Sequence, residues 1–595
     1  MKQNPGESAS RSLRERRTQP ALVGVTLPTT PVTTPPLRNG APQQVAKKQP
    51  ARGAIWKLVT LGLLLSLLCV ALYPLFAGAF PDHQAAQQAL TGLFPWVTHF
   101  SWTTWPPAIH AFNHLALFNL DTAAGFTNLL FVGLALAFAV QITAARVGRK
   151  AAQERLARRD TKGLFRTIFL LTALLSVIFL FAPAVEFPQV FLYGLYGRMV
   201  TALHVNPYAP SHAILHGNLL YSVLATGQVG PAPYGPLWLD LTLPVTLLAR
   251  DSVANLLIGF RLFGLLVHLA NTLLIWQILG RLRAERRIAG TLLYAWNPVI
   301  LLLGIAEMHY ELVMILCILL ASYFYLRRAF LLGWVSLLLA ALMNPVCLLL
   351  LPLFFPVLWR ETRGMRRGQR ALWWLLLISL SLVIAVLAYY PYWPGQGVAI
   401  ITTQLQQALF PATAINSLSA AIQHLRLSAR AVVWLGAPLT WNILTAIVAG
   451  SLLLLGMWLV DKLELALFFA AWVMLAIFAL SPQSQPWGIL LPVTLAICAS
   501  SSRAILLAFL LTFGAALSYL FWSGQHAWAG QALVTIGLPL VIWGWGFFFT
   551  STWHMTHRSN SGPVPAIKTP NRPSLSRPSW PGRPSWPARR ERQGD

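Results

Sequence analysis

The chain has 595 residues, of which 56% are hydrophobic and 10% charged, and a formal net charge of +27. Apolar runs of bilayer-spanning length recur from about residue 54 to about residue 550, which excludes a soluble fold. The runs are long and Leu-rich rather than short and alternating, so an all-α polytopic membrane protein is predicted. The basic residues gather in the tails and in short loops, which favours a role in membrane topology over nucleic-acid binding.

Both ends of the chain differ in composition from the middle. Residues 1–53 are rich in Pro, Thr, Lys and Arg, and residues 551–595 carry a basic, Pro-rich degenerate repeat. Both are predicted to be disordered cytoplasmic tails that contact membrane lipids at most through their charge. Between them, residues 54–550 are predicted to form one transmembrane domain.

Basic loops fix the predicted topology. The clusters at 146–166, 281–287 and 361–370 belong on the cytoplasmic side. Loops on the same side must be separated by an even number of crossings, which gives about 12–14 transmembrane helices with both termini inside. Spans are predicted near 54–78, 124–145, 166–185, 255–280, 288–305, 311–326, 371–390, 434–460, 463–480, 486–500, 503–521 and 527–550.

Two apolar segments do not fit simple spans. Residues 236–249 are too short to cross a bilayer and carry Asp240, so they are assigned to the interface or to a re-entrant hairpin. Residues 329–359 begin and end on basic loops and are interrupted by Asn344 and Pro345. This pattern predicts two half-thickness helices that meet at the Asn-Pro pair.

The same topology places four polar segments on one extracytoplasmic face. They are the loop 186–235, the hairpin tip 306–311, the loop 391–433 and the turn 481–487. The first loop is rich in Tyr, Pro and Asn and too long for a simple connector, so both large loops are expected to carry function, with short amphipathic helices.

Ionisable groups near membrane depth are costly and therefore mark candidate sites. Glu186, Arg198, Glu307, His309 and Glu311 are the candidates, although a carboxylate at a helix end can also be simply solvated. If a helix begins at residue 307, Glu307 and Glu311 share one face and His309 lies on another. Paired carboxylates can support general base catalysis or bind a cation.

Cofactor chemistry is not indicated. The four cysteines lie inside apolar runs without metal-ligand spacing, which predicts neither a disulfide framework nor a metal site. No cofactor is therefore expected, and a divalent cation remains open.

Ordered motifs on the extracytoplasmic face carry a family resemblance. The stretches "GRMVTALHVNPYA", "PYGPLW", "YAWNPVILLLGIAEMHYELVMI" and "SPQSQPWGILLP" follow one another between residues 165 and 500. Together they resemble polyprenyl-phosphate-sugar-dependent membrane glycosyltransferases of the GT-C superfamily, particularly the bacterial mannosyltransferase-like branch. The resemblance implies transfer of a hexose such as mannose, with inversion, from a polyprenyl-phosphate donor to an extracytoplasmic hydroxyl of a lipid or glycan acceptor.

The resemblance and the candidate acids together give a set of expected substrate-binding residues. Arg198 is the preferred candidate to hold the phosphate, because its guanidinium offers a fork of donors, and His204 and His212 are the alternatives. The full set is Arg198, Asn206, Tyr208, Tyr234, Glu307, His309, Gln485 and Trp487. Glu311 stands where the family has an Asp.

One departure from the family pattern concerns the catalytic base. The places where the resemblance implies acidic residues hold Gln189 and Tyr196, which cannot act as carboxylate bases at neutral pH. Glu186 and Glu311 are therefore predicted as the catalytic carboxylates. A catalytically inactive GT-C-like scaffold is one alternative function. A transporter or flippase of lipid-linked substrates is the other, and it would require polar residues along the middle of several helices.

Overall fold

The computed structural model describes residues 50–79, 103, 105–156, 162–182, 189–209, 230–250, 252–424, 430–499, 501–522 and 530–546. Within these residues the elements are helices and no strand forms, which confirms the predicted all-α polytopic membrane fold. The tail 551–595, residues 1–49 of the other tail, Glu186 and His212 lie outside the described residues.

The N-terminal half combines long helices with shorter ones. Its helices are α1 (Pro50–Ala71), α2 (Tyr73–Ala79), α3 (Pro106–Asn113), α4 (Ala123–Leu156), α5 (Lys162–Leu180), α6 (Gln189–Thr201), α7 (Pro236–Ala249), α8 (Val253–Leu282), α9 (Arg287–Ala295) and α10 (Pro298–Leu301). A π-helix, Leu302–Ala306, continues α10.

The C-terminal half alternates long helices with shorter ones. They are α11 (Glu311–Leu326), α12 (Phe330–Met343), α13 (Leu351–Thr362), α14 (Arg367–Tyr389), α15 (Ala399–Leu409), α16 (Leu418–His424), α17 (Arg430–Gly436), α18 (Pro438–Leu459), α19 (Leu463–Leu480), α20 (Leu490–Ala499), α21 (Ser502–Trp522) and α22 (Leu533–Gly546). Short 3-10 turns, Pro345–Leu350 and Pro486–Ile489, lead into α13 and α20.

Eight helices in the described residues are long and apolar enough to cross a bilayer, and a pair bent by 50° would make a ninth. The bent pair, Ala284–Ala295 with Pro298–Ala306, covers the predicted span 288–305. Six shorter apolar helices accompany them, among them Pro236–Ala249, which the sequence already marks as too short to span. The predicted short helices of the two large loops are present as α6, α15, α16 and α17.

Two of the interruptions between helices occur at Asn-Pro pairs. A residue that precedes proline is driven toward extended backbone, which ends a helix there. Asn297 and Asn344 both adopt this conformation, and each side-chain oxygen then accepts hydrogen bonds from amides of the next helix. The break predicted at Asn344 is confirmed, and the bend at Asn297 arises in the same way.

Predicted cytoplasmic loops contact one another at one end of the bundle. The ion pairs there are Arg283–Glu464 at 3.0 Å, Arg360–Asp461 at 3.8 Å and Arg328–Glu361 at 3.8 Å. These side chains are substantially exposed, so each pair adds little stability. The ion pairs show instead that these loops lie close together. The count of membrane crossings assigns all of them to the cytoplasmic side.

Candidate functional site

The hairpin tip 306–311 is an irregular turn between two helices. The π-helix ends at Ala306, Met308 adopts φ +47°, and α11 begins only at Glu311. Residues two apart in a regular helix point in different directions, but this turn brings Glu307 Oε2 to 3.1 Å from His309 Nε2. The expectation that Glu307 and Glu311 share a helix face is therefore wrong, because the helix starts four residues later than that pairing needs.

The buried Glu307–His309 pair lies against the turn 481–487. The imidazole of His309 stacks on the indole of Trp487, with ring centroids 4.3 Å apart and planes 15° from parallel. The other ring nitrogen, Nδ1, is buried and has no hydrogen-bond partner among the described residues. Two of the predicted extracytoplasmic segments thus meet at this point, and Glu307, His309 and Trp487 form one cluster.

A buried arginine, Arg261, binds the backbone carbonyl of the residue that precedes Glu307. The Arg261 guanidinium, on α8, donates from Nε to the Ala306 carbonyl at 2.7 Å. Its Nη1 donates to the carbonyls of Leu180 and Ala182 at 3.1 and 2.5 Å. Carbonyls at helix C-termini lack partners within their own helix, so one cation caps the ends of both α5 and the π-helix.

Four aromatic side chains pack together next to Glu311, and we call them the aromatic box. Their ring centroids are 5.1 Å apart for Tyr193 and Tyr234, 5.3 Å for Tyr234 and Tyr310, 4.9 Å for Tyr193 and Trp238, and 5.9 Å for Trp238 and Tyr310. Glu311 is close enough to interact electrostatically with the three phenols. Its Oε2 is buried and has no hydrogen-bond partner among the described residues, so this oxygen is available to accept a proton or a hydrogen bond.

The phenols of Tyr234 and Tyr310 remain protonated at neutral pH. Burial raises the pKa of each phenol well above its ordinary value, and the nearby Glu311 carboxylate acts in the same direction. Both rings therefore act as neutral hydrogen-bond groups around Glu311.

Tyr234 joins three segments of the chain. Its backbone carbonyl accepts hydrogen bonds from Tyr208 Oη at 2.8 Å and from Gln404 Nε2 at 2.7 Å. Its own hydroxyl donates to Gln189 Oε1 at 2.6 Å. Gln189, which occupies the place of an acidic residue in the resemblance, is thus the acceptor for a tyrosine that lines the aromatic box.

Asn206 connects the two large loops. Its Nδ2 donates to the Tyr392 carbonyl at 2.7 Å, while its Oδ1 accepts from the Tyr208 amide at 3.0 Å. The Tyr392 hydroxyl in turn donates to Asp240 Oδ1, on the non-spanning helix α7, at 2.7 Å. Asn206 and Tyr208 therefore position the loops, and a half-buried carboxylate lies beside them.

Gly235 permits a close approach between the first loop and α12. Its amide donates to the Met343 carbonyl at 2.9 Å. A Cβ at this position would lie 2.0 Å from the Leu342 carbonyl oxygen, which no neighbour could relieve without moving backbone. Glycine supplies both the small size and the N–H that this contact requires.

A cavity of about 530 Å³, the polar chamber, opens beside the aromatic box. Its lining includes Pro233, Asn344, Thr403, Gln406, Gln407, Phe410, Thr413 and Gln483. Asn344 Nδ2 donates to the Tyr310 hydroxyl at 2.6 Å. Asn344 therefore links the lining of the chamber to Tyr310 of the aromatic box.

Two more of the predicted substrate-binding residues, Gln485 and Arg198, form hydrogen bonds with other parts of the chain. Gln485 Oε1 accepts from Asn416 Nδ2 at 3.1 Å, and Asn416 Oδ1 accepts from Gln531 at 2.6 Å, so Gln485 ties the turn 481–487 to the second loop and the last helix. Arg198 instead donates to the Arg250 carbonyl at 2.6 Å, just after the C-terminal end of α7.

Sequence reasoning missed Arg261, Asn344 as a donor, Gln404 and the position of Asp240. For Arg261 a signal was present, because an arginine inside the largely apolar α8 is costly unless it has partners. Gln404 gave no local signal, since an amide on a short amphipathic helix is ordinary until its partner is known. Its role follows from its hydrogen bond to the Tyr234 carbonyl, and Tyr234 lies 170 residues away in the chain.

Residues 59–360 match the model of a protein family described as alpha-(1->6)-mannopyranosyltransferase, N-terminal domain. The matched range is just over half of the chain and contains the hairpin tip, the aromatic box, Arg261 and Asn344. Trp487 and Gln485 lie beyond it. No protein of curated function matches the chain.

Proposed function

The chain belongs to the alpha-(1->6)-mannopyranosyltransferase family, a family of glycosyltransferases, and from this premise we propose that it transfers mannose from a polyprenyl-phosphate donor. The proposed acceptor is a hydroxyl of a lipid or glycan at the extracytoplasmic face of the cell membrane. The apolar helices already establish a multi-pass membrane protein. The orientation of this face follows from the positive-inside rule and belongs to the proposal.

The observation that carries the proposal is the unpaired carboxylate oxygen of Glu311 beside the aromatic box. Transfer needs one base for the acceptor, because a polyprenyl phosphate is already a good leaving group. We assign this base to Glu311, which also begins a helix, where the helix dipole stabilises negative charge. Glu307 is less suited, because its carboxylate is engaged with His309.

The proposed reaction is a single displacement. The acceptor oxygen attacks C1 of the donor mannose while the C1–O bond to phosphate breaks, and the bonding electron pair leaves with the polyprenyl phosphate. Glu311 takes the hydroxyl proton. Attack on the face opposite the leaving group inverts the configuration at C1.

The polar chamber is the proposed entrance for the sugar. Its Gln406, Gln407, Thr403 and Thr413 side chains are exposed and offer amide and hydroxyl groups for sugar hydroxyls. The hydrogen bond between Asn344 and Tyr310 joins the chamber lining to the aromatic box. The proposal includes movement of the Tyr310 ring when the substrates bind, so that the sugar in the chamber can reach Glu311.

A catalytically inactive relative is the second candidate. It is favoured by Gln189, an amide at a place where the resemblance implies a carboxylate, and already the acceptor for the Tyr234 hydroxyl. In that case the site would bind the lipid-linked sugar without turnover.

The deciding experiment reconstitutes the protein in liposomes with labelled polyprenyl-phosphate mannose and an acceptor fraction from membranes. Wild type is compared with Glu311→Gln, with Glu186→Gln and with Glu307→Gln. We expect loss of Glu311 as base to slow transfer about 10²- to 10⁴-fold, the usual contribution of a general base.

Each result has a distinct meaning. Full activity of Glu311→Gln together with loss in Glu186→Gln would move the base to Glu186, which lies outside the described residues. Absence of transfer by wild type, with donor binding retained, would establish the inactive relative. Retained turnover in all three variants would contradict a mechanism in which one of these carboxylates acts as the base.

A further inference from the structure

Two arginines at the predicted cytoplasmic end of the bundle converge on one tyrosine. Arg281 lies in the last turn of α8, and its guanidinium carbon is 5.1 Å from the centre of the Tyr323 ring. Arg327 directly follows α11, and its guanidinium carbon is 5.6 Å from the same centre. Its Nε also donates to the Tyr323 hydroxyl at 3.2 Å. We call Arg281, Arg327 and Tyr323 the arginine clamp.

The clamp arginines differ from their neighbours in their partners. Three other arginines at this end each form an ion pair with a carboxylate, namely Arg283, Arg328 and Arg360. Among the described residues, no carboxylate forms an ion pair with Arg281 or Arg327. A phenol is neutral, so the clamp carries two positive charges that no described side chain neutralises.

Two general effects place arginines at this end of a spanning helix, and neither explains the clamp. Cytoplasmic loops are enriched in Lys and Arg, and a cation near a helix C-terminus interacts favourably with the helix dipole. Both effects act on an arginine whichever way its side chain points. Neither requires two guanidinium groups to turn toward the same phenol, where their charges repel each other. Their convergence therefore favours an anion that binds to both.

The clamp offers the hydrogen-bond donors that a phosphate accepts. A guanidinium has five N–H donors in a planar fork and can bind two phosphate oxygens at once. Arg327 uses its Nε on the Tyr323 oxygen, so its terminal nitrogens point to a second acceptor. The Tyr323 oxygen accepts this bond and keeps its own proton for donation. Charge-assisted hydrogen bonds of this kind are the stronger class.

The accessible surface of α11 next to the clamp is apolar. The helix is buried along most of its length, and before its last turns the accessible positions are Leu316 and Leu320. Tyr323 and Arg327 follow at spacings of three and four, so the four side chains lie on one face of the helix. An apolar strip therefore leads from the interior of the membrane to the clamp at its edge.

We propose that the arginine clamp binds the phosphate of an anionic phospholipid, with one acyl chain along Leu316 and Leu320. Basic pockets between spanning helices on the cytoplasmic side bind such head groups. The apolar strip favours a lipid over a free phosphate, which has nothing to contact it. A zwitterionic head group is disfavoured, because it would bring a third cation beside the two arginines. None of these residues takes part in the proposed transfer, so the two proposals stand or fall separately.

The test measures binding of phosphatidylglycerol to the full chain in an uncharged detergent. Arg281→Gln and Arg327→Gln remove the clamp charges singly and together. The matched control, Arg363→Gln with Arg366→Gln, removes two exposed charges from another predicted cytoplasmic loop. We expect each clamp substitution to weaken binding about fivefold and the pair to weaken it about twentyfold. The control is expected to bind within about twofold of wild type.

Competition identifies the source of the phosphate. Phosphatidylcholine and inorganic phosphate are each expected to displace phosphatidylglycerol at least tenfold more weakly than unlabelled phosphatidylglycerol does. Equal displacement by phosphatidylcholine would show that ordinary bilayer lipid covers this surface, and equal displacement by inorganic phosphate would show a site for a free anion. Equal weakening in the clamp and control variants would show a general effect of net charge. Each of these three results would overturn the proposal.

Photolabelling of the wild type keeps the proposal testable if a clamp variant does not fold. Phosphatidylglycerol with a photoreactive diazirine on an acyl chain is expected to label the segment 316–323. Excess unlabelled phosphatidylglycerol is expected to suppress this labelling at least fivefold, whereas phosphatidylcholine is expected to leave most of it. Labelling confined to other segments, or suppression by both lipids alike, would contradict binding at the clamp.

Discussion

Replacing Arg261 by methionine removes the cation that caps two helix ends and holds the residue before Glu307. Methionine has similar length and no hydrogen-bond donor, so the α8 packing is largely preserved while three donor–acceptor contacts are lost. The carbonyls of Leu180, Ala182 and Ala306 then lose this donor at buried positions. The substitution thus separates the hydrogen bonds of Arg261 from its volume.

The expected cost follows from those contacts. Hydrogen bonds to a charged group contribute about 1.5–3 kcal/mol each, so simple addition over three bonds would give roughly 5–9 kcal/mol. That sum is too large, because methionine also avoids the desolvation cost of burying a guanidinium. We expect a net loss of about 3–5 kcal/mol in the free energy of unfolding, or roughly 5–15 °C in the thermal midpoint.

The assay is thermal unfolding of the purified protein in detergent, followed by mannosyl transfer at a temperature where the variant is folded. Arg363→Met, at an exposed position, serves as the matched control and is expected to shift stability by less than about 1 kcal/mol. Turnover of Arg261→Met is expected to fall more than its folded fraction, because Glu307 directly follows Ala306. Unchanged thermal midpoint and turnover in Arg261→Met would refute the capping role.

Three further predictions concern single contacts of the site. Asn344→Ala removes the donor to the Tyr310 hydroxyl and a helix cap, so we expect a stability loss of about 1–2 kcal/mol in thermal unfolding and a changed KM for the mannose donor, whose sugar is proposed to enter through the polar chamber. Burial raises the pKa of Asp240 above its ordinary 3.8, so its ionisation costs stability as the pH rises. Asp240→Asn keeps the acceptor oxygen and should therefore unfold at a higher temperature than wild type at neutral pH, with the advantage vanishing below pH 3.8. Trp487→Ala removes the ring that stacks on His309 and should lower turnover about tenfold, whereas Trp487→Phe should recover most of it; equal losses in both would contradict a stacking role.

The sequence by itself determined the class of fold and the position of nearly every helix. Apolar length requires spanning helices, since backbone polar groups have no other partners in a bilayer, and the break at Asn344 follows from the restricted backbone before proline. The family resemblance likewise pointed to Glu311, His309 and Trp487 before their contacts were known. These inferences depend on local chemistry, which the order of residues contains.

Only the tertiary structure decided how the polar residues pair. Local helix geometry paired Glu307 with Glu311, but the left-handed backbone at Met308 pairs Glu307 with His309 and leaves Glu311 to the aromatic box. Arg198 donates to a carbonyl just beyond the end of α7, a contact that the sequence does not indicate, and its expected role at the phosphate stays a prediction. Such contacts join residues far apart in the chain and depend on how rigid helices pack, which no short stretch of sequence specifies.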